Sequence, residues 1–299
     1  MRWLCALLFL PQMAMGAACC GGGNLFPSLI AGDASGQVTA TTSYSHTFAD
    51  APVTGAAVTR AADDFETRST LKVDAAVLLS DLWQVGVSVP IVRRLRDRHG
   101  SQADALGLGD ISALAGYEFL PQWSYSAWRP KGTLFAGVVA PTGRSPQDAQ
   151  SLFQIDSMGR GYWMVTAGAL FQKTWGRWDA LFLAEAHQPF ARDVVAQAGV
   201  FHLNPAFGAS GALGVGWSAG DLRLGAMLSA VFEGPVRTTG LIDEVGNPQV
   251  SYPLSAQLAY MLNDDLSLAG TFSDNSLLGA TNTPLSRSLG VMLQARWDR

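Results

Sequence analysis

The fold is decided by the stretch from Gly161 to Phe190, GYWMVTAGALFQKTWGRWDALFLAEAHQPF. Two runs with period-two alternation meet at Gly176-Arg177, and a glycine at the first of two central positions suits a type II′ hairpin turn. The pattern predicts an antiparallel hairpin in which Trp175 lies opposite Trp178. One face of this hairpin is apolar apart from Lys173, and the other is mixed. A soluble sheet and a membrane barrel would bury opposite faces, so the choice depends on the rest of the chain.

The same alternation recurs along the chain, and no stretch shows sustained helical periodicity. It predicts about twelve strands, most of which reach the roughly 9 to 11 residues that a tilted strand needs to cross a bilayer. The predicted strands are Gln37 to Phe48, Phe65 to Ser80, Leu82 to Arg93, Gly109 to Leu120, Gly132 to Pro141, Gly161 to Trp175, Trp178 to Phe190, Pro205 to Ser218, Asp221 to Glu233, Gln249 to Leu262, Leu266 to Asp274 and Ser286 to Asp298.

The connections between these strands alternate in length. Outer-membrane barrels have short turns in the periplasm and long loops outside, so this alternation favours a transmembrane barrel. The segment Pro121 to Lys131 is an exception, being a turn of medium length. The short turns are Ser80-Asp81, Gly176-Arg177, Ala219-Gly220 and Asn263-Asp264-Asp265, and the long polar loops are Ala49 to Asp64, Arg94 to Leu108, Thr142 to Arg160, Ala191 to Asn204, Gly234 to Pro248 and Asn275 to Arg287.

Strand parity assigns the two faces of the barrel. A lipid-facing arginine at mid-depth costs about 2 to 4 kcal/mol, so the parity of Arg223 in RLGAMLSAVFE marks the lumen side. Leucine and methionine side chains share this parity, so we expect a partly apolar lumen. The charged residues expected to line it are Lys72, Asp74, Glu118, Glu185, His187, Arg223 and Arg296. The residues expected to form a lipid-facing aromatic girdle near the short turns are Trp83, Tyr117, Trp175, Trp178, Trp217, Tyr260 and Trp297.

The N-terminus has the features of a secretory signal peptide over residues 1–18. Arg2 precedes a short apolar run, and Gly16-Ala17-Ala18 provides the small residues that are typical of a signal-peptide cleavage site. Cleavage after Gly16 or after Ala18 is compatible with this pattern, and the second site would leave Cys19 as a candidate for lipidation, with a plain tail as the alternative. We expect residues 19–36 to form a Gly-rich periplasmic segment and residues 37–298 to form an all-β transmembrane antiparallel barrel, an up-and-down meander.

Composition fits this assignment. Of the 299 residues 48% are hydrophobic and 15% are charged, compared with about 25% charged in a typical soluble domain. The formal net charge of -4 gives a nucleic-acid partner no electrostatic support. Two of the 3 cysteines are adjacent and the third lies in the leader, so a disulfide framework is excluded.

No motif gives a strong indication of catalysis. Gly216-Trp217-Ser218-Ala219-Gly220 matches the G-x-S-x-G sequence motif of the hydrolase nucleophile elbow. That elbow needs a helix after the strand, whereas an alternating strand follows here. The 4 histidines lack metal-ligand spacing. The sequence therefore predicts no metal and no cofactor, and a hydrolase with a Ser-His or Asp-His pair at the outer rim stays an alternative.

Two stretches resemble a known family. Gly107-Leu108-Gly109-Asp110 leads into ISALAGYEFLP, and KGTLFAGVVAPTGRS is followed by GRGYWMVTAGALF. They are similar to the outer-membrane barrels named after the meta-pathway of phenol degradation, a resemblance clear over roughly Trp83 to Phe190. It implies an outer-membrane transporter of hydrophobic or aromatic compounds and lends no binding residues.

Together these features predict a monomeric channel in the bacterial outer membrane that passes small apolar or aromatic solutes by passive diffusion. Its expected partners are outer-membrane lipids, the barrel-insertion machinery and the solute. The chain ends Trp297-Asp298-Arg299, whereas such barrels usually end on an aromatic residue. One alternative is a closed structural or surface-interaction barrel whose function lies in its loops, and another is the hydrolase.

Overall fold

Twelve antiparallel strands close into a barrel in the computed structural model, which describes residues 28–30, 34–53, 56–196, 199–240 and 243–298. Each strand pairs with its neighbours along the chain, and the first strand pairs with the last. The predicted meander is thus confirmed. The strands are β1 (Gly36–Ala51), β2 (Asp64–Leu78), β3 (Trp83–Arg98), β4 (Ile111–Leu120), β5 (Lys131–Ala140), β6 (Met164–Trp175), β7 (Trp178–Pro189), β8 (Gly208–Ala219), β9 (Leu222–Glu233), β10 (Gln249–Ser251 and Leu254–Met261), β11 (Leu266–Asp274) and β12 (Thr283–Trp297).

The hairpin of β6 and β7 has the predicted register. Trp175 lies opposite Trp178, and Thr166 lies opposite His187 at the far end. Gly176 takes a φ of +56° at the turn, a conformation that glycine adopts without steric cost. At another short turn the side chain of Asn263 accepts hydrogen bonds from the backbone N–H groups of Asp265 and Leu266, which closes the turn between β10 and β11.

The outer wall is apolar, and the aromatic residues assigned to a girdle in the sequence analysis lie on it. Trp83 and Trp178 are 50% and 57% exposed on the outside near the short turns, and the other five predicted girdle residues also project outward from their strands. Aliphatic side chains such as Leu213 and Leu224 are exposed between the rims. Within the described residues each barrel strand pairs with a strand on either side, which satisfies backbone groups between strands as a transmembrane barrel requires.

Several long loops contain regular structure that the sequence did not predict. β3 continues beyond its barrel partner and pairs with a strand at Ser101–Leu108, so the expected loop from Arg94 to Leu108 is mostly a hairpin. Pro90 lies where β3 changes partner from β4 to this strand, in agreement with the interruption of pairing that a proline causes. The remaining short strands are Val58–Thr59 and Ala280–Thr281, and a separate four-stranded sheet at the long-loop rim is formed by Arg192–Ala196, Gly199–Pro205, Val236–Gly240 and Glu244–Val245.

The medium-length connection before β5 lies against the outside of the barrel. The ammonium group of Lys173 donates to the carbonyl of Ser126 and lies 5.0 Å from the centre of the Tyr125 ring. Beside it the indole N–H of Trp175 donates to the carbonyl of Ala127 at 2.7 Å. These contacts cover Lys173, which is 6% exposed, and explain how one cation is accommodated on an otherwise apolar face.

The N-terminal segment differs from expectation. Residues 28–30 lie inside the barrel, where Leu29 and Ile30 are buried, rather than in the periplasm. The predicted signal peptide at 1–18 and Cys19 lie outside the described residues. Two 3-10 helices, Pro146–Asp148 and Leu152–Gln154, occur in the loop after β5. Among the described residues, no helix is long and apolar enough to cross a membrane.

Candidate functional site

The lumen contains all seven charged residues that the sequence placed there, but not as one cluster. Lys72 and Asp74 form an ion pair of 3.3 Å on β2. Glu118 of β4 pairs with Lys131 of β5 at 2.9 Å, close to the short-turn rim. Arg296 projects inward from β12 and is partly buried. The remaining three residues belong to two buried networks on the opposite side of the barrel.

Arg223 belongs to the first of these networks. Its guanidinium donates two hydrogen bonds to the carboxylate of Asp179, at 2.9 and 2.6 Å, and one to the side-chain oxygen of Gln257 at 3.2 Å. The side chains of Arg223 and Asp179 are 7% and 6% exposed. Such a bidentate pair is among the stronger charge-assisted contacts. Arg223 therefore links β9 to β7 through its ion pair with Asp179 and does not project freely into a solute path.

The second network links β7 and β9 to the long-loop rim. Nε2 of His187 lies 3.0 Å from a carboxylate oxygen of Glu233, and Nδ1 lies 3.5 Å from Glu185. Glu233 also accepts hydrogen bonds from Arg160 at 2.5 and 2.9 Å. His187 is 7% exposed. The predicted residues Glu185 and His187 thus lie together, and the sequence did not indicate their connection to Arg160.

Glu66, Arg68 and Arg94 also line the lumen and were not among the predicted residues. Glu66 and Arg68 have the same parity on β2 as Lys72 and Asp74, so strand parity could have identified them. Arg94 was expected at the start of a loop, but it lies on β3 because that strand is longer than predicted. Arg94 donates to Glu66 at 2.5 and 3.2 Å and to the hydroxyl and carbonyl of Ser157 at 2.8 and 2.9 Å.

Residues 28–30 form a plug near the short-turn end of the lumen. The hydroxyl of Ser28 donates to Asp74 at 2.8 Å, and the backbone N–H of Ile30 donates to the side chain of Gln84 at 2.6 Å. The carbonyl of Leu29 accepts from Gln37 at 2.8 Å. The side chain of Leu29 packs into an apolar cluster on the barrel wall, so the plug is held by both polar and apolar contacts.

The loop at 142–160 covers the other end, and we call it the cover loop. Both carboxylate oxygens of Asp110 accept from its backbone, one from the N–H of Gly143 at 3.0 Å and the other from the N–H of Arg160 at 2.6 Å. The hydroxyl of Thr142 donates to the carbonyl of Gly109 at 2.7 Å. A Cβ at Gly159 would lie 2.2 Å from Asp110, so only glycine allows this approach. The two family-like motifs therefore act by fixing the cover loop to the rim.

Between the plug and the cover loop the lumen holds two adjoining cavities, of about 500 and 720 Å³, that share Arg68, Lys72 and Arg94 in their walls. One side of the lumen, which we call the hydroxyl wall, consists of the inward side chains Thr39, Thr41, Ser43, Ser45 and Thr47 of β1 together with Ser286 and Ser288 of β12. The other side, the apolar wall, consists of Leu114, Phe135, Leu170, Leu181, Leu183, Ala212 and Met227, against which Leu29 packs.

The features of a hydrolase are not assembled in the described part of the chain. Ser218 lies at the end of β8, and a hairpin turn with Gly220 at a φ of +57° leads directly into β9, where a nucleophile elbow would need a helix. His46, which lies four residues before Asp50 and could form an Asp-His pair with it only if both faced the same site, is exposed on the outward face of β1. Within the described residues no group of three or more His, Cys, Asp or Glu side chains is arranged to hold a metal ion.

The chain matches no family model and no curated protein. Among solved structures, an outer membrane channel from Pseudomonas putida F1 is similar, with a TM-score of 0.72, 14% sequence identity, and coverage of 89% of this chain and 96% of that one. The chain shares that channel's fold. This is the fold that the family-like motifs implied. The closed barrel and its apolar outer wall together indicate that the protein is a β-barrel of the bacterial outer membrane.

Two other structures give weaker likenesses. The translocator domain of the autotransporter NalP from Neisseria meningitidis has a TM-score of 0.42 at 12% identity, covering 88% of each chain. The CymD monoaromatic hydrocarbon channel has a TM-score of 0.42 at 8% identity, covering 89% of this chain and 90% of that one. These likenesses are too weak to bear on function.

Proposed function

We propose that the protein is an outer-membrane channel through which small solutes with an apolar or aromatic body enter by passive diffusion. The observation that carries the proposal is the two-sided lumen. Its cavity of about 500 Å³ is bounded by the hydroxyl wall and, within the same space, by Leu170, Leu181 and Met292. Ligand sites of several hundred Å³ with an apolar lining and a few polar groups suit small organic molecules.

Entry and exit both require movement in this arrangement. The cover loop lies over the outer mouth, where Arg94 and Asp110 hold it, and the plug occupies the short-turn end. A solute bound between them passes on when contacts at one end open, and such loops and terminal segments are drawn from the less stable parts of a protein. The proposal therefore describes a gated channel rather than a wide aqueous pore.

Catalysis has no part in this proposal. We also propose that the barrel functions as a monomer surrounded by outer-membrane lipids and that the barrel-insertion machinery assembles it. Its aromatic girdle supports contact with lipid at the level of the short turns.

Uptake by intact cells tests the channel, because apolar solutes cross simple phospholipid bilayers unaided. Cells with and without the protein are given a radiolabelled neutral aromatic solute such as benzyl alcohol at low concentration. We expect faster initial uptake with the protein and a return to the background rate in the variant Ser43→Trp, because Ser43 lines the cavity. The matched control is Thr42→Trp, which adds the same ring to the outward face of β1.

Equal uptake by cells with and without the protein would refute the channel and favour the second candidate function. In that function a closed barrel acts through its loops. The four-stranded sheet at the long-loop rim supports this candidate, because it gives that rim an ordered surface. Its distinguishing result is an activity that depends on the rim sheet and is insensitive to Ser43→Trp.

A further inference from the structure

We propose that Arg68 binds the anionic head group of a small organic acid inside the lumen, so that the channel's solutes include carboxylates with an apolar or aromatic body. This inference deepens the proposed function and rests on it. It adds a charged recognition site to a lumen otherwise described by shape and hydrophobicity.

The first argument is the difference between Arg68 and the cations around it. Arg94, its cross-strand neighbour on β3, is bound to Glu66 and Ser157. Lys72, farther along β2, pairs with Asp74. Within the part of the chain that the structure describes, Arg68 has neither a hydrogen bond nor an ion pair. Its guanidinium group carries five donors, so it offers a planar fork to a ligand.

The second argument is that the carboxylates near Arg68 are already paired with other groups. Glu66, two residues along β2, accepts from Arg94 at 2.5 Å and from Arg60 at 3.5 Å, and lies 3.8 Å from Arg96. Asp74 is engaged by Lys72 and by the hydroxyl of Ser28. These carboxylates already have cationic partners, so the charge of Arg68 is left for an anion from solution.

The third argument is the surface beside Arg68. Its cross-strand partner on β1 is Ser45, which belongs to the hydroxyl wall, and Thr70 follows on the same inward face of β2. Hydroxyl groups donate to carboxylate oxygens without adding charge. The cavity that holds these groups also contains Leu181 and Met292. An acid with an apolar body can therefore contact a cation, hydroxyls and aliphatic side chains in one site.

Equilibrium binding to the intact, detergent-solubilised barrel tests this site without requiring an open path. Titration calorimetry with benzoate is compared with titration of neutral benzamide. We expect benzoate to bind the natural protein and to bind the variant Arg68→Gln at least about tenfold more weakly, because a hydrogen-bonded charge pair is lost. Benzamide binding should be the same for both proteins.

The matched control is Arg93→Gln. Arg93 is the neighbour of Arg94 in sequence, but it points away from the lumen, is largely exposed and pairs with Asp104 at 2.7 Å. We expect this variant to bind benzoate as the natural protein does. Equal benzoate affinity of the natural protein and Arg68→Gln would overturn the inference, as would an equal loss in Arg93→Gln. Absence of benzoate binding by the natural protein would also overturn it.

A second measurement separates this inference from the channel proposal. The zero-current potential across a planar bilayer is recorded in a gradient of sodium benzenesulfonate, whose anion stays ionised. We expect an anion preference that disappears in Arg68→Gln and changes sign in Arg68→Glu. Faster uptake of benzyl alcohol without any preference for anions would leave the channel in place and refute the role of Arg68. Absence of uptake would refute the channel, whatever benzoate binding shows.

Discussion

At the scale of single residues, Gly216 has a role that its position in a hydrolase-like motif does not indicate. A Cβ at this position would lie 2.2 Å from Nη2 of Arg223 and 2.5 Å from a carboxylate oxygen of Asp179. The ion pair between β7 and β9 crosses over β8 at this point, and only a residue without a side chain leaves room for it. The glycine of the motif is therefore explained by the packing of a luminal ion pair.

We accordingly predict that Gly216→Ala destabilises the barrel by about 1 to 3 kcal/mol or more, the usual cost of overpacking, because the added methyl group displaces the buried ion pair. The measurement is the free energy of unfolding in urea, with the protein in lipid vesicles. The control is Gly214→Ala on the same inward face of β8, where the nearest atom lies 3.7 Å from the added Cβ. Equal stability of the two variants would contradict this explanation.

Strand parity predicted the luminal face of the charged residues, but not their partners. Arg223 and Asp179 belong to strands that are separated by β8, so their pairing depends on the stagger of three strands, which alternation alone does not determine. Arg68 was missed for a different reason. It lies on a predicted strand with the correct parity, and what distinguishes it is that it has no hydrogen-bond or ion-pair partner among the residues that the structure describes.

At the scale of elements, the cover loop depends on Asp156. Its carboxylate accepts from the hydroxyl and N–H of Ser151 at 2.5 and 3.2 Å, from the N–H of Gln150 at 3.1 Å and from Arg144 at 2.5 Å. Desolvation acts to raise the pKa of Asp156, but the hydrogen bonds from Ser151, Gln150 and Arg144 outweigh it and hold the pKa well below its usual range.

A depressed pKa means that the carboxylate stabilises the folded loop at every pH above its ordinary value of about 4, and that this contribution is lost as the pH falls through the folded-state pKa. We predict that the loop keeps its order down to about pH 4 and loosens only in stronger acid. Asp156→Asn should loosen the loop already at neutral pH. The asparagine NH2 group is a hydrogen-bond donor, so it would face the donor groups of Ser151, Gln150 and Arg144 where the carboxylate has an acceptor.

Spin-label mobility at the exposed Leu152 measures this order. A nitroxide is attached to Leu152→Cys in a protein whose Cys19 and Cys20 are replaced by serine, and spectra are recorded at about pH 7 and along an acid titration that continues below about pH 4. We expect an immobilised label at about pH 7, a mobility that rises progressively below about pH 4, and a mobile label in Asp156→Asn already at about pH 7. A label at Gln102→Cys, in the separate hairpin extension of β3, should not respond. Identical spectra for the natural and Asp156→Asn loops would refute the prediction.

The barrel strands themselves could be predicted because one physical condition applies along their whole length: one face contacts lipid and the other lines the lumen. β11 was predicted with its observed bounds, Leu266–Asp274. The rim sheet was not predicted, because Gly199–Pro205 pairs with Val236–Gly240, a partner from a different loop. Where the bilayer imposes no alternation, the sequence indicates a loop but not its pairing.

At the scale of the whole molecule, the lumen has two unlike sides, and their arrangement follows from the order of the strands. β12, β1 and β2 are neighbours through the closure of the barrel, so the serine and threonine residues at alternate positions of β1 lie beside Ser286 and Ser288 of β12. The apolar wall comes from the contiguous run β4 to β9. The meander thereby separates a polar path from an apolar one without any change in backbone architecture.

We expect the plug to limit conduction through this lumen. Removing residues 21–30 eliminates the hydrogen bonds to Asp74, Gln84 and Gln37 and the burial of Leu29, which alone contributes roughly 1.5 to 3 kcal/mol. We predict a larger single-channel conductance for small ions in planar bilayers than the natural protein shows. Deletion of residues 21–25 is the control, because it shortens the same segment but retains residues 28–30, so its conductance should match that of the natural protein. If both deletions and the natural protein conduct equally, the plug is not the barrier, and the cover loop with its Asp110 and Arg94 contacts remains as the element that closes the lumen.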